Sequence, residues 1–458
     1  AQLGRPGRYR LFQIDLSREF RYCLETGTDP TPNREPTTLR LGAPERIYTD
    51  GGTLDEVSID GETRTGAPAA LAATVADAVA ERDPDVLRVD RAALVPALFD
   101  ASDRAGYRLG REPGYTRLAG ASTFESYGSV GHSPARYAVP GRAIVDASNS
   151  FILGEAGLHG LLDLVSRSHR PLQETAWASI GRILTAIQIT HARANDVLVP
   201  WRSWRPERFK RAAQLDDADR GGYTFAPDVG VHEGVHELDF SSLYPNIIRE
   251  FNISPETVRC DCHPEREDVP GLGYSICPDD GYLPDVLGPL IDDRDDIKDE
   301  IAASDPADDT AVLEARSDAI KWILVCCFGY QGHANAKFGR IECHEAINAF
   351  AREILLDAKD RLEGYGWRVV HGIVDSLWVQ PIPDREQTPI PAVVSDLTDS
   401  VGIRLDYEAA YDWIAFCPRR SDDAGALTRY FGHEADTPLD DPDSYKYRGI
   451  ELRQRSTP

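Results

Sequence analysis

The segment Glu237–Arg249 reads ELDFSSLYPNIIR, and the interpretation of the whole chain starts from it. Apolar residues lead up to Asp239 as in a β-strand, and Pro245 ends the extended run before a sequence that can form a helix. A strand end of this kind can present a carboxylate and nearby backbone groups to a metal-bound phosphate. An ordinary strand–turn–helix corner also fits these residues, so the interpretation of Asp239 depends on the rest of the chain.

The composition combines strong acidity with uneven use of the basic residues. The 458 residues carry a formal net charge of -25, and only six of the 50 basic residues are Lys. High Asp and Glu content with little Lys is typical of proteins that stay soluble in concentrated salt, although GC-biased codon usage also favours Arg. We expect a halophile. Net acidity normally argues against a nucleic-acid partner, but concentrated salt screens that repulsion and leaves local basic clusters to decide.

The sequence contains no run of eighteen apolar residues and no signal peptide, so we expect a cytoplasmic protein with no membrane span. Its eight Cys follow no regular framework, which favours a reducing compartment. One close group stands out, formed by Cys260, Cys262, His263 and Cys277. The sequence leaves three alternatives open for this group: unconnected thiols, a small structural zinc site, or a disulfide.

Strand and helix patterns alternate through the first 200 residues and indicate an α/β domain. Predicted helices cover residues 67–81, 92–106, 157–166 and 177–195, predicted strands cover 86–89 and 143–146, and residues 120–140 are predicted to form a long loop. Asp60-Gly61-Glu62 could be the metal-binding pair of a nuclease. The intervening Gly favours a hairpin turn instead, and the helix at 177–195 offers no further carboxylate.

Two helices downstream carry basic residues. Pro284–Ala302 places Arg294 and Lys298 four residues apart, hence on one face of a helix. A second helix carries Lys321 and runs towards Gly329. If the two helices are antiparallel neighbours, these three cations would form a clamp for a triphosphate; solvated surface charges are the alternative.

A second acidic corner occurs in Trp367–Gln380, which reads WRVVHGIVDSLWVQ. Asp375 follows the turn of a predicted hairpin among apolar residues, where an unpaired carboxylate would be costly. Together with Asp239 it would supply two carboxylates able to hold two Mg²⁺ ions for phosphoryl transfer. The alternative is an ordinary hairpin Asp.

These segments resemble the motifs of the archaeal family-B DNA polymerases. Asp239–Ile248 (DFSSLYPNII) is similar to motif A, Ala319–Gly332 (AIKWILVCCFGYQG) to motif B, and His371–Ser376 (HGIVDS) to motif C. Arg220-Gly221-Gly222 resembles the Gly pair that contacts the template, and Lys446–Arg455 (KYRGIELRQR) resembles the segment that closes the palm.

The resemblance implies a multidomain α/β and α+β fold. An RNase H-like exonuclease domain would precede a polymerase palm with an antiparallel sheet and a two-helix fingers insertion. The implied boundaries are an N-terminal segment at 1–36, a degenerate 3′–5′ exonuclease-like domain at 37–200, the palm at 201–282 and 346–458, and the fingers at 283–345. We expect no thumb domain within this chain, because the sequence stops about where the family's thumb begins.

The resemblance also implies roles for individual residues. Asp239 and Asp375 would be the catalytic metal ligands, with Phe240 binding metal through its carbonyl oxygen. Nucleotide contacts are implied for Ser242, Leu243, Tyr244, Arg294, Lys298, Lys321 and Val325, and DNA contacts for Arg220, Gly221, Gly222, Ser376, Arg429 and Tyr430. Tyr244 would stack under the incoming sugar and exclude a ribose 2′-hydroxyl. The implied partners are two Mg²⁺ ions, dNTPs, a primed DNA template, and replication or repair proteins.

Several positions depart from the family pattern. Ile373 stands where motif C has its first Asp, while Val325, Cys326 and Phe328 replace the Asn, Ser and Tyr of motif B. The carboxylates expected of a proofreading domain are missing. We therefore predict a DNA-directed DNA polymerase that lacks proofreading and is slow or error-tolerant. The rival predictions are a catalytically inactive paralogue that acts as a DNA-binding or replication scaffold and, less favoured, a nuclease.

Overall fold

The computed structural model describes residues 12–49, 52–126, 129–201, 207–305, 309–333 and 335–450. The chain divides into two compact units. Unit 1 comprises Ala1–Trp201 with Asp293–Cys326, and unit 2 comprises Arg202–Asp292 with Cys327–Pro458. Within the described ranges, no helix is both long enough and apolar enough to cross a bilayer. Residues 451–455 of the segment predicted to close the palm lie outside the described residues.

Both units contain helices and strands. The helices are α1 (Arg18–Thr26), α2 (Pro68–Arg82), α3 (Leu94–Ala101), α4 (Phe151–Ser168), α5 (Leu172–Ala176), α6 (Ile180–Ala194), α7 (Ala212–Ala218), α8 (Leu243–Glu250), α9 (Tyr282–Ala303), α10 (Ala311–Gln331), α11 (Ile341–Gly364) and α12 (Ile390–Val401). The strands are β1 (Thr38–Gly42), β2 (Glu56–Ile59), β3 (Glu62–Thr65), β4 (Val86–Val89), β5 (Thr116–Ala119), β6 (Ser122–Ser126), β7 (Ser129–Ser133), β8 (Arg136–Ala138), β9 (Ala143–Asp146), β10 (Thr224–Phe225), β11 (Gly230–Phe240), β12 (Trp367–Ile373), β13 (Ser376–Pro381), β14 (Leu405–Pro418), β15 (Gly425–Glu434) and β16 (Tyr445–Arg448).

Unit 1 is built on a mixed five-stranded sheet of order β3-β2-β1-β4-β9. Strands β1, β4 and β9, at one side of the sheet, are parallel, with Leu39 opposite Leu87 and Leu87 opposite Ile144. These three side chains are buried. Strands that are covered on both faces are expected to be apolar runs of this kind. The α/β alternation predicted for the first 200 residues is therefore present.

Three local predictions in this unit need correction. The helix predicted to reach residue 106 ends at Ala101, where Ser102 is extended and its hydroxyl accepts from the Arg104 N–H at 3.2 Å. Such side-chain turns compete with helical hydrogen bonds. The helix predicted at 157–166 begins earlier, at Phe151, and is interrupted at Gly157 (φ +63°). Residues 120–140 contain the β6–β7 hairpin and β8 rather than one long loop.

The Asp60-Gly61-Glu62 segment forms the predicted hairpin turn. Ile59 pairs with Glu62 across it, and Asp60 and Gly61 have φ values of 48° and 86°. Positive φ at both central positions is typical of a tight two-residue hairpin. The Asp60 carboxylate accepts from the Arg40 N–H at 2.8 Å and forms an ion pair with Arg82, while Glu62 pairs with Arg64. The contacts of these two carboxylates stabilise the turn and the residues next to it.

Helix α4 organises the parts of α9 and α10 that belong to unit 1. Asp163 forms ion pairs with Arg167 at 2.6 Å and with Arg316 at 3.1 Å, and Arg167 also pairs with Asp293 at 2.6 Å. A Cβ added at Gly160 would lie 2.5 Å from the Ala315 carbonyl oxygen, so glycine allows α4 to approach the α10 backbone closely.

Unit 2 contains an antiparallel sheet of seven strands, ordered β10-β12-β13-β11-β14-β15-β16. Helix α11 contacts α8, α12 and β12, and α12 contacts β14. An apolar cluster of buried side chains from five of its strands includes Trp378, Tyr411, Phe416 and Tyr430. This sheet is the predicted antiparallel sheet that carries Asp239 and Asp375. The domain boundaries drawn from the sequence remain predictions.

Candidate active site

Asp239 and Asp375 lie on neighbouring elements of the unit 2 sheet. Asp239 is the penultimate residue of β11, and Asp375 lies in the turn between β12 and β13. The register of β11 and β13 places Asp239 opposite Ser376. The Phe240 N–H donates to the Asp375 carbonyl oxygen at 2.9 Å, which ties the strand end to the turn. The structure thus brings together the two carboxylates that the sequence singled out.

The turn that carries Asp375 has an unusual backbone. Ile373 pairs with Ser376 across it, and Val374 between them has a φ of 55°. A β-branched residue rarely adopts this left-handed conformation, which costs about 1–3 kcal/mol. The Val374 N–H donates to the Tyr223 carbonyl oxygen at 3.0 Å and the Asp375 N–H to the Ile373 carbonyl oxygen at 2.6 Å. These hydrogen bonds hold Asp375 in place at the end of the hairpin.

Ser376 lies between the two carboxylates. Its hydroxyl donates to Asp239 Oδ2 at 2.5 Å and lies 3.5 Å from Asp375 Oδ1. A hydroxyl has one proton to donate, and Ser376 donates it to Asp239, the nearer carboxylate. The Asp375 oxygens therefore remain able to accept from another donor or to bind a cation. The sequence predicted a DNA contact for Ser376, and the structure adds this direct link to Asp239.

Both carboxylates are partly buried and have raised pKa values. Burial, followed by repulsion from Asp375, raises the pKa of Asp239 to about 7. Burial likewise raises the pKa of Asp375. Among the residues that the structure describes, no Lys, Arg or His forms an ion pair with either carboxylate. Two desolvated carboxylates side by side fit a divalent cation with oxygen ligands, which would favour their ionised forms.

A β-bulge lies near Asp239 in the pairing of β11 with β14. The pairing of β11 with β14 shifts between Glu237 and Leu238, so Glu408 is the extra residue on β14. Bulges re-aim side chains and are frequent beside functional sites. Glu408 adds a smaller repulsion that also raises the pKa of Asp239. Sequence reasoning did not find this third carboxylate, because its proximity depends on the strand register.

A buried charge network supports the strand that carries Asp239. Glu237 is 5% exposed, and Lys446 on β16 places Nζ 2.7 Å from both of its carboxylate oxygens. The Tyr411 hydroxyl on β14 donates to Glu237 Oε2 at 2.5 Å. Burial, and then the negative charge of Glu237, raise the pKa of Tyr411, so its proton stays available for this bond. Sequence reasoning missed the network, although Lys446 is one of only six lysines.

Tyr244 on α8 stacks on another aromatic ring and lies close to the backbone of a glycine. Its ring stacks on Phe328 with centroids 4.1 Å apart, and Phe328 stacks on His344 at 4.3 Å. A Cβ added at Gly222 would lie 3.0 Å from the Tyr244 hydroxyl and 3.0 Å from Val374 Cγ2. Burial and the nearby Asp375 raise the pKa of Tyr244 to about 12, so its hydroxyl stays protonated near neutral pH.

The residues between Asp239 and Tyr244 form a tight corner. Phe240 and Leu243 are buried, and Ser242 has a φ of 47° immediately before α8. The Asn246 side-chain amide donates to the Ser241 carbonyl oxygen at 2.9 Å and so braces the corner. With their side chains turned inward, Phe240 and Leu243 would offer backbone rather than side-chain groups to a ligand.

The residues predicted to bind the triphosphate lie in unit 1. Arg294 and Lys298 are four residues apart on α9 and both are partly exposed. Lys321 and Val325 are four residues apart on α10; Lys321 is exposed, and Val325 is 61% exposed. The helices predicted to carry them are present, and their nucleotide contacts remain predictions.

The predicted DNA-contacting residues differ in accessibility. Arg220 is exposed and pairs with Asp217, and the Arg352 guanidinium donates to the Gly221 carbonyl oxygen at 2.6 Å. Arg220, Gly222 and Arg352 line an open cavity of about 470 Å³. Arg429 on β15 is partly exposed, whereas Tyr430 is 2% exposed within the aromatic cluster. That burial favours a packing role for Tyr430 over the predicted DNA contact.

The predicted cysteine group is also brought together. The ligand atoms of Cys260, Cys262, His263 and Cys277 all lie within 4.8 Å of one another in the segment between α8 and α9. All three cysteines have free thiols, so the structure contains no disulfide among them.

Similarity to known proteins identifies the family of this chain. Residues 181–420, just over half of the chain, match the model of DNA polymerase family B. The chain belongs to this family.

Individual relatives are archaeal. The chain is 34% identical over 264 residues to DNA polymerase 2 of Saccharolobus solfataricus, covering 57% of this chain and 38% of that protein. It is 28% identical over 273 residues to DNA polymerase 1 of Pyrococcus abyssi, covering 58% of this chain and 35% of that protein. These alignments span less than half the length of either relative.

A solved structure supports the fold over almost the whole chain. The family B DNA polymerase from the hyperthermophilic archaeon Pyrobaculum calidifontis matches with a TM-score of 0.66 and 20% sequence identity. The match covers 98% of this chain and 68% of that one. The fold is therefore the mixed α/β multidomain fold of a family B polymerase.

Proposed function

We propose that the protein is a DNA-directed DNA polymerase that adds dNTPs to the 3′ end of a primer annealed to a DNA template. The observation that carries the proposal is the pairing of Asp239 and Asp375, linked by Ser376, at one end of an antiparallel sheet. Membership of DNA polymerase family B supports the same reaction class.

Asp239, Asp375 and the Phe240 carbonyl oxygen would hold two Mg²⁺ ions. Bound Mg²⁺ would activate the primer 3′-hydroxyl and stabilise the charge that develops on the phosphates. The protein itself contributes a partly buried, preorganised pair of carboxylates. The strained turn at Val374 and the hydrogen bond from Phe240 hold that pair before substrate arrives, so little reorganisation is required during the reaction.

Tyr244 would select the sugar of the incoming nucleotide. Stacking on Phe328 and the close approach of Gly222 restrict the ring, so it cannot easily move away from a bulkier ribose. Arg294, Lys298 and Lys321 would bind the triphosphate as point charges and bidentate donors. Arg220 and Gly221 would contact the template backbone.

The proposal includes no proofreading. The Asp60 carboxylate accepts from the Arg40 N–H and forms an ion pair with Arg82, and the Glu62 carboxylate forms an ion pair with Arg64. Helix α6 has the sequence IGRILTAIQITHARA and contains no carboxylate. We propose that residues 37–200 are an exonuclease-like domain without exonuclease chemistry, that 201–282 and 346–458 form the palm, and that 283–345 form the fingers.

Primer extension in molar KCl with Mg²⁺ and dNTPs tests the proposal. The full-length protein should extend a primed template, and Asp239→Ala and Asp375→Ala should each lower the rate at least about 100-fold, because metal-mediated charge stabilisation contributes several kcal/mol. Asp360→Ala is a matched control, since that carboxylate is 82% exposed on α11. Bound but unextended primed DNA with the wild-type protein would favour the inactive scaffold instead.

A further inference from the structure

The segment between α8 and α9 gathers four soft metal ligands that the polymerase reaction does not use. Cys260, Cys262 and His263 come from one stretch of this segment, and Cys277 comes from another. Cys260 and Cys277 are buried and Cys262 is exposed. The four ligand atoms all lie within 4.8 Å of one another.

Three of the six separations between the ligand atoms are close to those of a tetrahedral metal centre. Zinc binds sulfur at about 2.3 Å and nitrogen at about 2.0 Å, which puts neighbouring ligand atoms about 3.5–3.8 Å apart around a tetrahedron. The Cys262 and Cys277 sulfurs are 3.6 Å apart. His263 Nδ1 lies 3.7 Å from the Cys260 sulfur and 3.9 Å from the Cys277 sulfur. A central ion could therefore contact all four side chains with little movement.

Backbone hydrogen bonds bring the two stretches together independently of any metal. Val258 and Ile276 form an antiparallel bridge. On either side of it the Arg259 N–H donates to Ser275 at 2.7 Å, and the Cys277 N–H donates to Thr257 at 2.9 Å. Because the ligand positions are set by this pairing, the site is preorganised rather than a chance encounter of loose thiols.

We propose that Cys260, Cys262, His263 and Cys277 bind one structural Zn²⁺ ion. Three sulfurs and one imidazole nitrogen are a donor set that favours tetrahedral zinc, and four protein ligands leave no open position for substrate. The site is closed and hence structural. The thiols bind as thiolates, so zinc uptake at neutral pH releases their protons to solvent.

The site stabilises the connection between α8 and the start of α9. Asn252 donates to the Cys277 carbonyl oxygen at 2.9 Å and accepts from the Gly281 N–H at 2.7 Å. Glu256 accepts from the Tyr282 N–H at 2.5 Å, and Ser254 from the Leu283 N–H at 3.2 Å. These contacts satisfy the first N–H groups of α9, which have no partners inside the helix. Zinc bound next to them fixes the segment from which they come.

Metal analysis of the full-length protein tests the proposal. Protein purified under reducing conditions and dialysed against metal-free buffer should contain about one zinc per chain. Cys277→Ser and His263→Ala should each lower that content several-fold. Cys417→Ser should retain it, because Cys417 is a partly buried free thiol on β14 outside the group. Equal zinc contents in the wild type and Cys277→Ser would overturn the proposal.

A second measurement keeps the test valid if a variant fails to fold. Wild-type protein treated with a thiol-modifying mercurial should release zinc to a chromogenic chelator, and amides at residues 252–283 should exchange faster with deuterium after release. Reconstitution with Co²⁺ should give the absorption bands of a tetrahedral thiolate site. Metal-free wild type in which Cys262 and Cys277 resist alkylation until a reductant is added would also overturn it, in favour of a disulfide. None of these readouts depends on polymerase activity.

Discussion

Lys446 places its ammonium group 2.7 Å from both carboxylate oxygens of Glu237, two residues before Asp239 on the same strand. The contact joins β16 to β11 across the intervening strands β15 and β14. It neutralises a buried negative charge directly behind the candidate active site. The ion pair of Lys446 with Glu237 stabilises the position of the strand that carries Asp239.

Removing one partner of this pair should destabilise unit 2. Lys446→Met would leave Glu237 buried beside Tyr411 without its cation. We expect a loss of about 1–3 kcal/mol in the free energy of unfolding, below the value for a fully buried pair because Lys446 is 32% exposed. Urea unfolding in high salt measures it. Glu237→Gln combined with Lys446→Met should recover most of the loss; a double variant as unstable as Lys446→Met alone would contradict the assignment.

The raised pKa of Asp239 predicts a pH-dependent stability in metal-free buffer. The folded state holds the Asp239 proton to about pH 7, whereas an unfolded Asp releases it near its ordinary pKa of 3.8. The stabilisation is therefore fully present below about pH 4 and is lost as the pH rises through about 7. Asp239→Asn should become more stable relative to the wild type by up to about 4 kcal/mol between pH 4 and pH 8, since the shift spans about three pKa units and one unit corresponds to about 1.4 kcal/mol.

Urea unfolding at a series of pH values, with a chelator present, checks this difference. Asp360→Asn is the control, because Asp360 is 82% exposed. Mg²⁺ added at pH 8 should stabilise the wild type and not Asp239→Asn. A difference between wild type and Asp239→Asn that does not change with pH would contradict the prediction.

Gly222→Ala should impair nucleotide addition with little effect on folding. The added Cβ would meet the Tyr244 hydroxyl and Val374 Cγ2 at 3.0 Å, so the ring or the Asp375 turn must shift. Since small misplacements of reacting groups are costly, we expect about a tenfold or greater loss in kcat/KM for dNTPs. Gly364→Ala is the matched control, because nothing lies within 4 Å of its Cβ position. Steady-state primer extension distinguishes the two.

Tyr244→Ala should weaken discrimination against ribonucleotides. Removing the ring that stacks on Phe328 opens space at the position proposed for the sugar. The ratio of kcat/KM for dNTP over rNTP should fall by at least about tenfold, which corresponds to about 1.4 kcal/mol. Phe328→Tyr should leave the ratio within about twofold, because it keeps the stacked ring. If the ratio of kcat/KM values is unchanged in Tyr244→Ala, Tyr244 does not select the sugar.

Much of the local architecture around the site could be predicted from the residues alone. The strand ending at Asp239, the helix beginning after it, the hairpin bearing Asp375 and the turn at Asp60 are set by side-chain alternation and turn chemistry over a few residues. The loop predicted at 120–140 was wrong because its short, polar strands show no apolar alternation that would mark them as strands; β6 pairs with β7, the next strand along the chain, and β8 pairs with β5.

The sequence by itself singled out the candidate side chains: two acidic residues, one at a strand end and one in a hairpin, a tyrosine near the first of them, and a group of three cysteines with a histidine. Only the tertiary structure decided how they meet. The register of β11 against β13 puts Ser376 between Asp239 and Asp375, and the order of the strands brings Lys446 to Glu237. Backbone periodicity repeats every few residues, whereas these contacts join positions more than 100 residues apart, and the strand pairing that creates them leaves no local pattern to read.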